Sequence, residues 1–112
     1  MEIEIQTENF KLTKELEAYI HQHLGFDDSD QYGPVSHVHV KLSELNNVII
    51  NDEYDDGEKN KNCFITVTLD GMPAKVEVQN TEEDMNFAID LASKRARKTA
   101  LLWIRRYGAK TA

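Results

Sequence analysis

Strict alternation of apolar and polar residues, in three separate segments, most strongly constrains the fold of this chain. The clearest segment is 35–42, where Val38 and Leu42 lie on one side and polar residues occupy the other. A period of two places successive side chains on opposite faces of a β-strand, so this segment predicts a half-buried strand. Segments 2–7 and 63–69 alternate in the same way and predict two further strands.

Two other segments repeat their apolar residues at helical spacing. Thr13 can cap a first helix, which should end at Gly25. A second, longer helix is expected from about Glu82 towards Tyr107, with segment 81–84 supplying a capping residue and first-turn carboxylates. The expected core stripe of this helix consists of Met85, Ile89, Ala92, Ala96, Thr99 and Trp103.

A turn at 70–71 and a fourth strand at 74–78 complete the order β-α-β-β-β-α. This order predicts an α+β fold, a four-stranded sheet with two helices packed on one face and a polar opposite face. We expect one domain over residues 1–112, with a mobile acidic loop at 51–60. The patch 48–50 either extends the second strand or forms a hairpin arm, and the sequence does not decide between them.

The charge is unevenly distributed along the 112 residues. All 20 acidic residues lie at or before Asp90, where only 6 basic residues accompany them, so this part carries −14. The part beyond Asp90 has 7 basic residues and no acidic one. In physiological salt, electrostatic interactions are screened beyond roughly 8–10 Å. The local charge of the basic end therefore says more about a binding partner than the net charge of −7 does. A helix dipole alone would account for one or two such cations.

Cations repeated on one face of a helix are typical of contact with nucleic-acid phosphates, and Arg also stacks on bases. The alternative is a solvated helix face without a partner. For a basic run taken alone, the solvated face would be favoured; the segregation of the cations from the acidic residues, together with the resemblance described below, favours RNA contact. The candidate RNA-binding residues are Lys94, Arg95, Arg97, Lys98, Arg105 and Arg106.

Other kinds of site find little support in the sequence. Cys63 is the only cysteine and shares the phase of the buried face of its strand, so we expect a structural thiol and no disulfide. His37 and His39 could ligate a metal, but no further ligand is fixed nearby, so exposed histidines are favoured. Neither a phosphate-binding loop nor a nucleophile elbow occurs. We therefore expect no enzyme activity, no cofactor, no metal and no membrane span, and a cytoplasmic protein.

Three segments resemble the ribosome hibernation-promoting and ribosome-associated inhibitor family. They are 9–20 (NFKLTKELEAYI), 38–43 (VHVKLS) and 84–90 (DMNFAID). The resemblance covers nearly the whole chain and is closest to the short members of the family. It implies a fold akin to double-stranded-RNA-binding domains, in which Lys94, Arg95 and Lys98 lie nearest the family's basic positions.

The resemblance also implies a function in translation. Its partners would be the small ribosomal subunit and its rRNA, not DNA, and binding would repress translation and promote ribosome hibernation under stress. The alternative is a protein-interaction or dimerisation module of the same fold that has lost RNA binding. We also consider a second copy of the chain as a partner, in a weak homodimer. The acidic body and the apolar segment 101–104 favour this alternative.

Overall fold

The computed structural model describes residues 1–26, 30–45, 59–72 and 75–108. Within them, a short 3-10 turn precedes the second strand. The elements are β1 (Glu2–Glu8), α1 (Lys14–Leu24), β2 (Val35–Glu44), β3 (Lys61–Leu69), β4 (Val76–Glu82) and α2 (Met85–Gly108). Segment 46–58, which holds the 48–50 patch and most of the expected acidic loop, lies outside the described residues.

The strands form one mixed sheet in the order β1-β2-β3-β4. β1 runs parallel to β2, which requires a crossover connection, and α1 lies within that connection. β2, β3 and β4 pair antiparallel in sequence. The predicted α+β fold with the order β-α-β-β-β-α is therefore confirmed.

Alternation along the strands divides the sheet into a buried and a polar face. Val38, Val40 and Leu42 of β2 are fully buried, as are Cys63 and Ile65 of β3. Both helices contribute to the same core as these inward residues, so they cover one face of the sheet. A register shift between Val35 and His37 turns Val35 inward as well. The opposite face is mainly polar, as predicted, and besides Phe64 it carries Glu2, Glu4, His37, His39, Lys41, Thr66, Thr68 and Glu77.

The first helix begins and ends where the sequence predicts. The hydroxyl oxygen of Thr13 accepts a hydrogen bond of 3.1 Å from the backbone N–H of Leu16. This contact satisfies one of the free N–H groups of the first turn. Gly25 ends α1 with a φ of 74°, in the left-handed region that favours glycine.

The predicted start of the second helix at Glu82 is wrong. β4 continues to Glu82, and Thr81 pairs with Asn62 of β3 and donates a hydrogen bond of 2.8 Å to its side-chain oxygen. α2 therefore begins at Met85, and Asp84 caps it by accepting a 3.1 Å bond from the backbone N–H of Phe87. Sheet pairing takes precedence over helix formation here, because each residue opposite β3 gains partners for its backbone.

Candidate nucleic-acid interface

Small side chains hold α2 close to the rest of the protein and orient its charged side. Ala88, Ala92, Ala96 and Ala100 recur every fourth residue and are fully buried. Residues four apart share one side of a helix, so this row forms the contact line with the core. The basic side chains of α2 consequently project away from that line or around its edges.

Four of the six predicted RNA-binding residues are unpaired on the exposed surface. Lys94, Lys98, Arg105 and Arg106 are all exposed. None of these four forms an ion pair or a side-chain hydrogen bond with another described residue. Because no carboxylate in the described part of the chain forms an ion pair with them, their N–H donors are available to an external anion.

Arg95 has an internal partner on the edge strand. Its terminal nitrogen Nη1 donates to the backbone carbonyl of Gln79 and to the side-chain oxygen of Asn80, each at 2.8 Å. β4 is the last of the described strands in the sheet order, so none of them lies beside its outer edge. Arg95 thus ties α2 to that edge, and its positive charge remains exposed there.

Arg97 joins the two helices. Its Nη1 donates to the carbonyl of His23 at 3.0 Å and to that of Leu24 at 2.8 Å. The last carbonyls of a helix lack partners within the helix and carry the negative end of its dipole, so a guanidinium is well suited to cap them. The side chain also passes over Gly25, where a Cβ atom would lie 3.1 Å from its Cδ. The sequence could not reveal this role, since it depends on how the helices pack.

A second contact between the helices centres on Asp90. The hydroxyl of Tyr19 donates to its two carboxylate oxygens, at 2.9 and 2.8 Å, and His23 Nδ1 lies 3.6 Å from the first of them. The rings of Tyr19 and His23 stack with centroids 4.0 Å apart. Burial, with the hydrogen bond and negative charge of Asp90, raises the pKa of Tyr19 above its usual value. The last acidic residue of the chain is therefore engaged in packing α1 against α2.

Two large apolar side chains lie on the exposed side of α2: Leu102, which belongs to the apolar segment 101–104 noted in the sequence, and Phe87, which the sequence-based prediction of sites did not include. Phe87 is 51% exposed and Leu102 is 56% exposed. At about 100° per residue, Phe87 projects within about 20° of Lys94, Lys98 and Arg105. Helical phase in the sequence already places Phe87 on the side of these cations, and this is the signal from which its position can be predicted. Trp103, in contrast, is half-buried against the core and contacts the ring of Tyr107.

The polar face of the sheet pairs its charges internally. His37 lies 3.5 Å from a carboxylate oxygen of Glu2 and 3.3 Å from one of Glu4. Lys41 forms a 3.0 Å ion pair with Glu8. His39 Nε2 lies 2.9 Å from the side-chain oxygen of Gln6. This face therefore offers fewer free cations to an anion than α2 does.

The described residues hold neither a candidate metal cluster nor an exposed thiol. In ranges 1–26, 30–45, 59–72 and 75–108, no group of three or more His, Cys, Asp or Glu side chains could hold a metal ion. Cys63 is fully buried, and burial raises the pKa of its thiol to about 12, so the nucleophilic thiolate is disfavoured. None of the helices in the described part of the chain is long and apolar enough to cross a membrane.

Two solved structures share this fold over almost their whole length. A ribosomal subunit interface protein from Coxiella burnetii matches with a TM-score of 0.69 and 17% identity, covering 97% of this chain and 99% of that one. The N-terminal domain of Thermus thermophilus Protein Y matches with a TM-score of 0.68 and 23% identity, covering 91% of this chain and 98% of that domain. The TM-scores show that the three proteins share a fold, and at identities this low the matches show the fold alone.

Family membership rests on the sequence itself. No curated protein matches the chain. The family model described as Sigma 54 modulation protein / S30EA ribosomal protein matches residues 3–106. That range takes in the whole sheet from Ile3 onward, both helices up to Arg106, and all six predicted RNA-binding residues. The chain therefore belongs to the Sigma 54 modulation protein / S30EA ribosomal protein family.

Proposed function

We propose that this protein binds the rRNA of the small ribosomal subunit through the exposed side of α2 and thereby represses translation in hibernating ribosomes. The observation that carries the proposal is the set of four exposed, unpaired cations on α2. The family supports the ribosome as the partner, since one structural relative is a ribosomal subunit interface protein.

The remainder of the molecule favours one orientation on a polyanion. Residues up to Asp90 carry −14, and phosphates would repel them. The segment after Asp90 has no acidic residue, so the protein approaches RNA most favourably with the C-terminal two-thirds of α2 in front. In this orientation the ion pairs of the sheet face are turned away.

Cosedimentation with purified small subunits tests this proposal. The wild-type protein should pellet with the subunits at low salt and be released as salt rises, because each neutralised phosphate releases counterions. Reversing Lys94, Lys98 and Arg105 together to Glu should abolish pelleting. Arg95 and Arg97 are left unchanged, because their internal hydrogen bonds would confuse loss of binding with loss of structure.

The chain offers a matched control for this triple variant. Lys11, Lys14 and Lys75 are exposed and lie off α2, and changing them to Glu gives the same net charge. This control should still pellet with the small subunit. Equal loss of pelleting in the two variants would assign binding to overall charge and contradict the α2 interface.

A second candidate function is a protein-interaction or dimerisation module. The exposed Leu102, beside the partly buried Leu101 and Ile104, favours it. Under this alternative, wild-type protein would fail to pellet with small subunits even at low salt. Sedimentation velocity would instead show a concentration-dependent dimer that Leu102→Glu disrupts.

A further inference from the structure

Phe87 is in an unusual position for an aromatic residue of a small α+β domain. Its side chain is 51% exposed, although two nearby residues of the same helix turn, Met85 and Ala88, are buried in the core. Its backbone N–H is held by the cap Asp84 at 3.1 Å, so the first turn of α2 fixes its location. The ring thus stands on a well-anchored turn and still faces outward.

The exposed ring is aligned with the unpaired cations. Phe87, Lys94, Lys98 and Arg105 project within about 40° of one another around the helix axis. At 1.5 Å per residue, Phe87 lies about 10 Å before Lys94, and the whole row extends for about 27 Å. The row begins with an apolar ring and continues with cations along one helix side.

The charges near Phe87 differ from those at the other end of the row. Glu83 and Asp84 directly precede α2 and are exposed, so a phosphate is disfavoured beside Phe87. A nucleobase is uncharged and has an aromatic face, so it can occupy this place without that repulsion. Unpaired bases are commonly held by stacking on exposed aromatic side chains next to a basic track.

We propose that Phe87 stacks on an unpaired base of RNA whose phosphates follow Lys94, Lys98 and Arg105. This inference rests on the proposed function and adds to it the class of RNA recognised, namely a single-stranded segment. A second copy of this chain is the less favoured occupant, because two α2 helices facing each other would bring like charges together.

The first experiment compares RNA probes by fluorescence anisotropy. Wild-type protein should bind a labelled oligouridylate of about twelve nucleotides more tightly than a fully paired RNA duplex of equal length. Phe87→Leu, which keeps an apolar side chain but removes the aromatic face, should weaken oligouridylate binding about tenfold. Phe87→Tyr should bind like wild type, and so should Leu102→Ala, a control truncation at the other large exposed apolar residue described on α2. Equal binding by wild type and Phe87→Leu would overturn the proposal.

Salt dependence separates stacking from phosphate contact. Phe87→Leu should leave the slope of log affinity against log salt unchanged, whereas Lys98→Ala should lower it by about 0.7. A reduced slope in Phe87→Leu would contradict stacking.

Tryptophan fluorescence gives a direct readout of stacking. In the double variant Phe87→Trp with Trp103→Phe, the single tryptophan takes the place of Phe87, and bound RNA should quench its fluorescence. Fluorescence that bound RNA leaves unchanged would also overturn the proposal.

The same variants on purified small subunits distinguish this inference from the proposed function. If wild-type protein does not bind subunits at all, the proposed function fails. If wild type and Phe87→Leu bind subunits and oligouridylate equally, only the stacking inference fails. If Phe87→Leu changes the self-association of the protein instead of its RNA affinity, the ring belongs to a contact between copies, and the inference is again wrong.

Discussion

The polar face of the sheet and the exposed side of α2 both carry many charges, yet they differ in how those charges are used. On the sheet, Lys41 and His37 lie within 3.5 Å of carboxylate oxygens on β1. On α2, Lys94, Lys98, Arg105 and Arg106 have no partner among the described residues, whereas Arg95 and Arg97 bind neighbouring elements. A count of cations therefore overstates the binding surface, because only some of them are free to meet a ligand.

The strongest test of this difference is Arg97→Ala. Loss of the two charge-assisted hydrogen bonds to the end of α1 should lower the free energy of unfolding by about 2 kcal/mol. Lys98→Ala, the adjacent residue without an internal partner, should change it by less than about 0.5 kcal/mol. Urea denaturation followed by Trp103 fluorescence measures both. Similar losses in the two variants would remove the distinction between bound and free cations on α2.

Gly25→Ala sharpens the role assigned to Arg97. The φ of 74° strains any residue with a Cβ, and that Cβ would also lie 3.1 Å from the Arg97 side chain. We expect a loss of about 1–2 kcal/mol in the free energy of unfolding. In the double variant with Arg97→Ala the contact is relieved and only the strain remains, so the combined loss should be less than the sum. Additive losses would indicate that Arg97 does not lie over Gly25.

An unpaired polar group has a different consequence in the core. Ser93 is buried, and its hydroxyl oxygen has no hydrogen-bond partner among the described residues. Ser93→Ala should therefore raise the free energy of unfolding by about 1 kcal/mol, through lower desolvation cost and higher helix propensity. Thermal denaturation would show a higher melting temperature. A fall in that temperature would mean that the hydroxyl is paired in solution.

The smallest expected effect concerns the sheet face. Lys41 and Glu8 are both partly exposed, so Glu8→Gln should cost only about 0.5 kcal/mol of stability. Because this surface is directed away from the proposed ligand, binding to small subunits should be unchanged. A pelleting assay at two salt concentrations checks this, and a marked loss of binding in Glu8→Gln would place the sheet face in the interface.

Sequence patterns predicted the parts of the fold that depend on local periodicity. Alternation identified β2 and β3, and the Thr13 cap fixed the start of α1, because these signals lie within one element. The end of β4 was missed, since Asn80 and Thr81 are polar and gain their strand conformation only by pairing with β3. The tethering of Arg95 and Arg97 was also beyond the sequence, because their partners lie 15 or more residues away.

The contact between Arg95 and β4 has a consequence for solubility. An unprotected edge strand can recruit the same strand of another molecule and start aggregation. Arg95 places a charged group on the Gln79 carbonyl of that edge, so an incoming strand would have to displace it and bury its charge. We therefore expect precipitation in the cell to be the first defect of Arg95 variants, ahead of any loss of binding. This one side chain should thus oppose association through the β4 edge while it contributes to the positive field of the helix.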